Sequence, residues 1–187
     1  MIPAETLHRK SLFSLLYQVD QDLAEQTRAA GCPFCGGPLH RAHYWRKPRG
    51  GPPELAEAFE VRFSLCCGRE GCRRRVLPPS VRFWHRRVYW APVVLLVTAL
   101  RQGHNPDATL EKLKSLCGVW RSTVKRWQRY FRDLFPQGAA FKRLAGRLMP
   151  PIDPHRLPAD LLLRFHRNCR QPEQAISGCL RVIAMGP

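Results

Sequence analysis

The sequence predicts a mainly α-helical protein with a small cysteine-bearing β ribbon, built around a tri-helical unit that is followed by short helices. Three observations predict it. Apolar residues recur at helical spacing over 109–134, paired cysteines flank a stretch of strand-like alternation at 59–65, and seventeen prolines and thirteen glycines cut the rest into short elements. An apolar fraction of 44% is enough to fill a sizeable core, which sets the chain apart from a disordered basic tail.

Residues 1–30 read as an N-terminal helical segment, helical over 4–29, with acids at Glu5, Asp20, Asp22 and Glu25. They lack the positive, apolar and cleavage-site order of a secretory signal, so a cytoplasmic protein is expected.

Eight cysteines in a reducing compartment need a role other than disulfides. Cys32-Pro-Phe-Cys35-Gly-Gly places two thiolates on one tight turn, from which both reach a single tetrahedral ion, and its glycines permit the bend of a zinc knuckle. The second pair is Cys67-Gly-Arg-Glu-Gly-Cys72, at the end of the alternating stretch Phe59 to Leu65, with Cys66 an alternative to Cys67. The expectation is a zinc ribbon over 31–80 that holds Zn2+ through Cys32, Cys35, Cys67 and Cys72. The four-residue gap of the second pair departs from the commonest four-cysteine pattern, and a redox CxxC would want a βαβ setting that the flanking residues do not offer. His40 and His43 lie near the first pair, as ligands or as surface histidines. Cys117, Cys169 and Cys179 read as small packing residues. The insertion between the pairs, broken by Pro and Gly at 48–53, forms a finger of the ribbon.

Residues 81–135 read as a helix-turn-helix domain with helices near 88–102, 107–116 and 120–134. The run APVVLLVTAL at 91–100 is about half the ~20 residues a membrane-spanning helix needs, so it reads as a buried helix and no membrane association is expected. Asn105-Pro106-Asp107, ahead of Thr109 and Glu111, is the expected start of the second helix. Gly118 falls in the turn, where a positive φ is needed, and Leu113, Cys117, Val119, Val124 and Trp127 fall where the motif packs. Lys114 stands where a small residue is usual, so either the lysine snorkels or the register is different. On the last helix Val124, Trp127, Phe131 and Leu134 share one arc, and Arg121, Lys125, Arg126, Gln128, Arg129 and Arg132 occupy the other. No acid interrupts 120–132 to pair with them, which separates this face from an ordinary solvated one. Residues 136–187 form a C-terminal helical segment, with helices at 139–148, 159–168 and 173–184 that close the core or mediate assembly.

With 31 Lys and Arg against 14 Asp and Glu, the chain carries a net charge of +17 and attracts polyanions. Between Arg69 and Arg87 arginine alternates with Phe83, Trp84 and His85, a mixture suited to phosphate contact and stacking. Arg73, Arg74, Arg75, Arg82, Arg86 and Arg87 are the candidate phosphate contacts there. Equally, Val81, Phe83 and Val88 belong to a core and the arginines face water. The acids have no spacing that singles out a catalytic site, and there is neither a glycine-rich phosphate loop nor a His-x-Glu motif beside the cysteines, so a non-enzymatic protein is expected.

The order CPFCGG, then CCGREGCRRR, then GVWRSTVKRW resembles the zinc-ribbon and helix-turn-helix DNA-binding portions of bacterial transposases and of mobile-element accessory proteins, over about residues 31–132. The resemblance implies DNA binding by Arg121, Ser122, Lys125, Arg126 and Arg129, with the zinc cysteines stabilising the adjoining domain. A full transposase of this kind carries a separate acidic catalytic domain, which does not fit after residue 135. The expected function is therefore that of a transposition accessory factor or transcriptional regulator on duplex DNA. An RNA- or ribonucleoprotein-binding module is the alternative, as is an assembly adaptor that meets a transposase or other protein through its C-terminal helices.

Overall fold

A helix with no polar face organises the protein. α2 (Ala91–Leu100) buries every one of its ten residues, as an all-apolar run must when it is covered on all sides. Pro92 lies in its first turn, where a missing N–H breaks no bond, and the Thr98 hydroxyl donates to the Val94 carbonyl at 2.6 Å. The computed structural model describes residues 2–84, 87–102, 108–146 and 148–185. Among these the chain is mainly helical, with seven α-helices and two small antiparallel sheets. No helix among the described residues is long and apolar enough to cross a membrane.

α2 is covered by a 3-10 turn (Ala4–His8), α4 (Arg121–Arg129), α6 (Ala159–Arg167) and α7 (Pro172–Ala184). α1 (Lys10–Ala30) lies against α7, where Arg9 meets Glu173 at 3.1 Å. The N-terminal helical segment expected over 4–29 comes in two parts that meet at Arg9, whose extended backbone (φ −80°, ψ 123°) turns the buried Ala4, Thr6 and Leu7 into the core. One continuous core then joins residues from Ile2 to Leu180, including Phe13, Trp90, Leu95, Trp127, Phe131 and Ile176. The helices of 1–30, 81–135 and 136–187 thus share a single apolar interior.

The ribbon has a separate and much smaller core of Cys32, Leu39, Leu65, Cys67 and Val76. β4 (Leu65–Cys67) pairs antiparallel with both β1 (Leu39–Arg41) and β5 (Arg75–Val76). β2 (Tyr44–Trp45) and β3 (Val61–Arg62) make a second ladder, the base of the finger. The expected alternation over 59–65 is not what forms, because Arg62, Phe63, Ser64 and Leu65 are all buried. Tyr17 of α1 packs edge-on against Phe63, and the Arg62 Nη2 donates to the Pro78 carbonyl at 2.5 Å, so consecutive residues are covered from opposite sides.

α3 (Leu110–Cys117) begins at Thr109, whose hydroxyl accepts the Lys112 N–H at 3.2 Å. The expected start at Asn105-Pro106-Asp107 lies outside the described residues. α3 ends at Gly118, left-handed at φ 60° and ψ 29°, whose N–H returns to the Lys114 carbonyl at 2.8 Å. Lys114 does not wedge between helices. It is exposed, and its Nζ sits 3.9 Å from the centroid of the Trp120 ring, across the turn.

The expected arc of α4 holds for Val124, Trp127 and Phe131 and fails at Leu134, which is 62% exposed. Residues Tyr130–Leu134 widen into a π-helical turn, and each i→i+5 turn takes in one residue more than an α turn. Side chains beyond it lag in rotation, so Leu134 swings out and Phe135 takes the core position against Phe131 and Phe141. The C-terminal helices run over α5 (Ala139–Ala145), α6 and α7, and Leu161, Leu162, Ile176 and Leu180 close the core.

Candidate metal centre and nucleic-acid interface

The chain folds back so that the two cysteine pairs meet. β1 leaves the first turn and β4 enters the second, and their register sets Leu39 opposite Cys67. The Sγ atoms of Cys32, Cys35, Cys67 and Cys72 all lie within 4.8 Å of one another, with Cys32 to Cys72 at 3.8 Å and Cys35 to Cys67 at 3.5 Å. Thiolates bound to zinc at ~2.3 Å stand roughly 3.8 Å apart at the corners of a tetrahedron, so the cluster has the spacing of a four-sulfur metal site. Cys66, one residue earlier on β4, points to the opposite face, where its thiol reaches the Arg73 carbonyl at 3.4 Å. Strand alternation therefore selects Cys67. His40 and His43 stand apart from the cluster, and His43 Nδ1 pairs instead with the Ser64 backbone.

The backbone supports negative charge on these sulfurs. The Gly37 N–H donates to Cys35, the Arg69 N–H to Cys67 and the Arg74 N–H to Cys72. The Gly37 amide brings the Cys35 thiol down to about 7, whereas burial pushes Cys67 up to about 12 against the pull of the Arg69 amide. A cation at the centre favours the thiolate at all four positions. The two turns are built alike, since Gly36 follows Cys35 at φ 70° and Arg73 follows Cys72 at φ 45°. At Arg73 the left-handed backbone costs an L-residue roughly 1–2 kcal/mol, which the ribbon must supply.

Gly37 also lets the loop close over the cluster. A methyl group there would stand 3.2 Å from Cys67 Sγ, 3.3 Å from Cys35 Sγ and 3.0 Å from the Arg69 Cβ. Gly37→Ala is expected to lower metal affinity about 10–100-fold by displacing the amide that orients Cys35. Competition against a chromophoric chelator measures this, and an unchanged affinity would show that the close packing of Gly37 is incidental.

The candidate basic residues divide into three groups. Arg73, Arg74 and Arg75 are exposed on the ribbon, Arg74 over the Phe34 ring at 4.7 Å and Arg75 over Tyr44 at 5.4 Å. Arg121, Ser122, Lys125, Arg126 and Arg129 are exposed along α4, and none of the four cations forms an ion pair among the described residues. Gln128 and Arg132 leave that face, Gln128 donating to the Arg101 carbonyl at 3.0 Å and Arg132 gripping Asp133 with two bonds of 2.7 and 3.0 Å.

Arg82 corrects the expectation that it contacts phosphate, for it is wholly buried. Its Nε donates to Asp20 Oδ2 at 2.9 Å, its Nη1 to the Phe59 carbonyl at 2.5 Å and its Nη2 to the Val61 carbonyl at 2.9 Å. Asp20 also accepts from the Ser80 hydroxyl at 2.6 Å and the Val81 N–H at 2.7 Å. The guanidinium lies 4.7 to 5.0 Å from the rings of Tyr17, Phe63 and Phe83. Arg87 is half-buried with its guanidinium 4.6 Å from the Tyr130 ring, and burial lowers its pKa. Arg86 lies outside the described residues. Val81 and Phe83 join the core while Val88 is exposed.

Asp20 and the aromatic partners of Arg74 and Arg75 escaped sequence reasoning, because each pair is formed across the chain and leaves no local pattern. Compared with family models, with curated proteins and with solved structures, the chain matches none.

Proposed function

We propose that the protein is a non-enzymatic, zinc-stabilised protein that binds duplex DNA, acting as a transposition accessory factor or a transcriptional regulator. One observation carries the reading. α4 shows solvent an unbroken row of Arg121, Ser122, Lys125, Arg126 and Arg129, while Thr123, Val124 and Trp127 hold its other side in the core. α3, the Gly118 turn and α4 serve as the helix-turn-helix, and the start of α4 enters the major groove. The four-cysteine cluster holds zinc as a structural ion, and the exposed Arg73, Arg74 and Arg75 of the ribbon meet phosphates.

Arg121→Ala and Lys125→Ala are each expected to cost ~1–3 kcal/mol on a cognate duplex and to relax sequence preference. Arg74→Ala is expected to weaken all duplexes alike and to flatten the steep fall of affinity with salt. Selection from randomised duplexes supplies the cognate site, and titrations at several salt concentrations compare the variants. If Arg121→Ala and Lys125→Ala leave the preference intact, α4 is not the reader.

The Phe34–Arg74 and Tyr44–Arg75 stacks favour a second reading, binding of unpaired RNA bases on the ribbon. Hairpin RNA and single strands in the same titrations decide between them, since tighter binding to RNA than to duplex DNA supports the second.

A further inference from the structure

A cleft of about 670 Å³ opens between the β2–β3 ladder, the segment 77–84 and the last turns of α7. Its size falls within the range of small-molecule sites, and its walls are the aromatic and aliphatic side chains of Tyr44, Leu77, Phe83, Trp84, Leu180 and Ile183. Among the described residues, no acidic one lines it. Two guanidinium groups do, those of Arg46 and Arg62.

Arg62 is the unusual member. It is only 8% exposed, and one arm is tied to the Pro78 carbonyl at 2.5 Å, which holds the group 5.8 Å from the centroid of Phe83. The other arm, Nη1, is buried with no hydrogen-bond partner. Arg62 has no ion pair among the described residues, and the nearby carboxylate of Asp20 is engaged by Ser80, Val81 and Arg82. A buried cation with an unused donor is costly unless an anion completes it.

We propose that this cleft binds a small anion with a flat apolar body, of the class of aromatic carboxylates. When the ligand binds, the Arg62 side chain shifts so that Nη1, shielded from solvent in the free protein, donates to the carboxylate; the charge of Arg46 lies beside it, and the rings lie against Phe83, Trp84 and Ile183. Such a ligand bridges the ribbon finger and α7, and so fastens the ribbon to the helical core. The inference is independent of the DNA reading, because neither α4 nor the metal centre lines the cleft.

Calorimetry on the full chain with 2-naphthoate and its neutral counterpart 2-naphthylmethanol tests it. The carboxylate is expected to bind about tenfold more tightly, the worth of one charge-assisted hydrogen bond in a buried site. Arg62→Met is expected to bring the two probes to similar affinity. Ala184→Trp, which fills the cleft from the end of α7 and leaves Arg62 in place, is expected to abolish both, so the result does not hang on the folding of the arginine variant. Arg121→Ala is expected to change neither, which separates the cleft from general attraction to a basic surface. Equal affinity of the two probes for the unaltered protein overturns the proposal. So does naphthoate binding that survives Ala184→Trp, or displacement of naphthoate by thymidine monophosphate at lower concentration, which assigns the cleft to a nucleotide.

Discussion

Replacing Cys67 with serine, or stripping the proposed zinc with a strong chelator, is expected to unfold residues 31–76 while the helical signal of α1, α2, α6 and α7 survives. The reason is the size of the two cores. Apart from cysteines the ribbon buries only Leu39, Leu65 and Val76 in its own cluster, held by ladders of two or three residues. So small an apolar set does not offset the ordering of some forty residues, and domains of this kind draw their folding free energy from a metal. Because the metal competes with protons for the thiolates, the ribbon is expected to lose its metal as pH falls. Metal analysis with amide NMR of the anaerobically purified protein supplies the test. A metal-free protein whose ribbon amides remain dispersed would remove the structural role assigned to the cluster.

Arg82→Met is expected to destabilise the whole protein by ~3–5 kcal/mol, and Asp20→Leu by a similar amount, since each leaves an opposite charge buried without its partner. The pair is fully shielded, and it also holds Ser80, the Val81 amide and the carbonyls of Phe59 and Val61 in one network. The double variant is expected to cost less than the sum of the single ones by about 2 kcal/mol, because it removes both charges together. Urea unfolding of the four proteins gives the cycle. A cost for Arg82→Met below about 1 kcal/mol, the range of a surface pair, would mean that water reaches the site.

Where a feature depends on residues close in sequence, it was legible. CPFCGG specifies a tight turn through its glycines, the glycine after Cys117 ends α3 in the left-handed region, and a run with no polar residue but Thr98 has to be buried. The pairing of the two cysteine turns was also legible, because the number of thiols a tetrahedral ion needs restricts the choice. Whether Cys66 or Cys67 faces the cluster depends on the strand register, which the flanking residues leave open. The fate of Arg82 depends on Asp20, sixty-two positions away on α1, and a run of arginines looks the same whether one of them faces inward or all face water. Leu134 was misplaced because helical periodicity assumes a constant turn, and the change to a wider turn at Tyr130 has no marker in the residues themselves.

The complete burial of α2 has a consequence for how the protein is made. Its covering comes from both directions along the chain, from the Ala4–His8 turn and from α4, α6 and α7. During synthesis α2 leaves the ribosome long before α7, so its valines and leucines have at first only the N-terminal elements beside them, and after α4 and α6 are added they still lack their last cover. A nascent chain halted before residue 172 presents to the cell the side of α2 that α7 covers. Chaperones should therefore hold it from the emergence of Leu100 until α7 docks, and truncations in the last helix should be degraded or aggregate rather than accumulate as shortened binders.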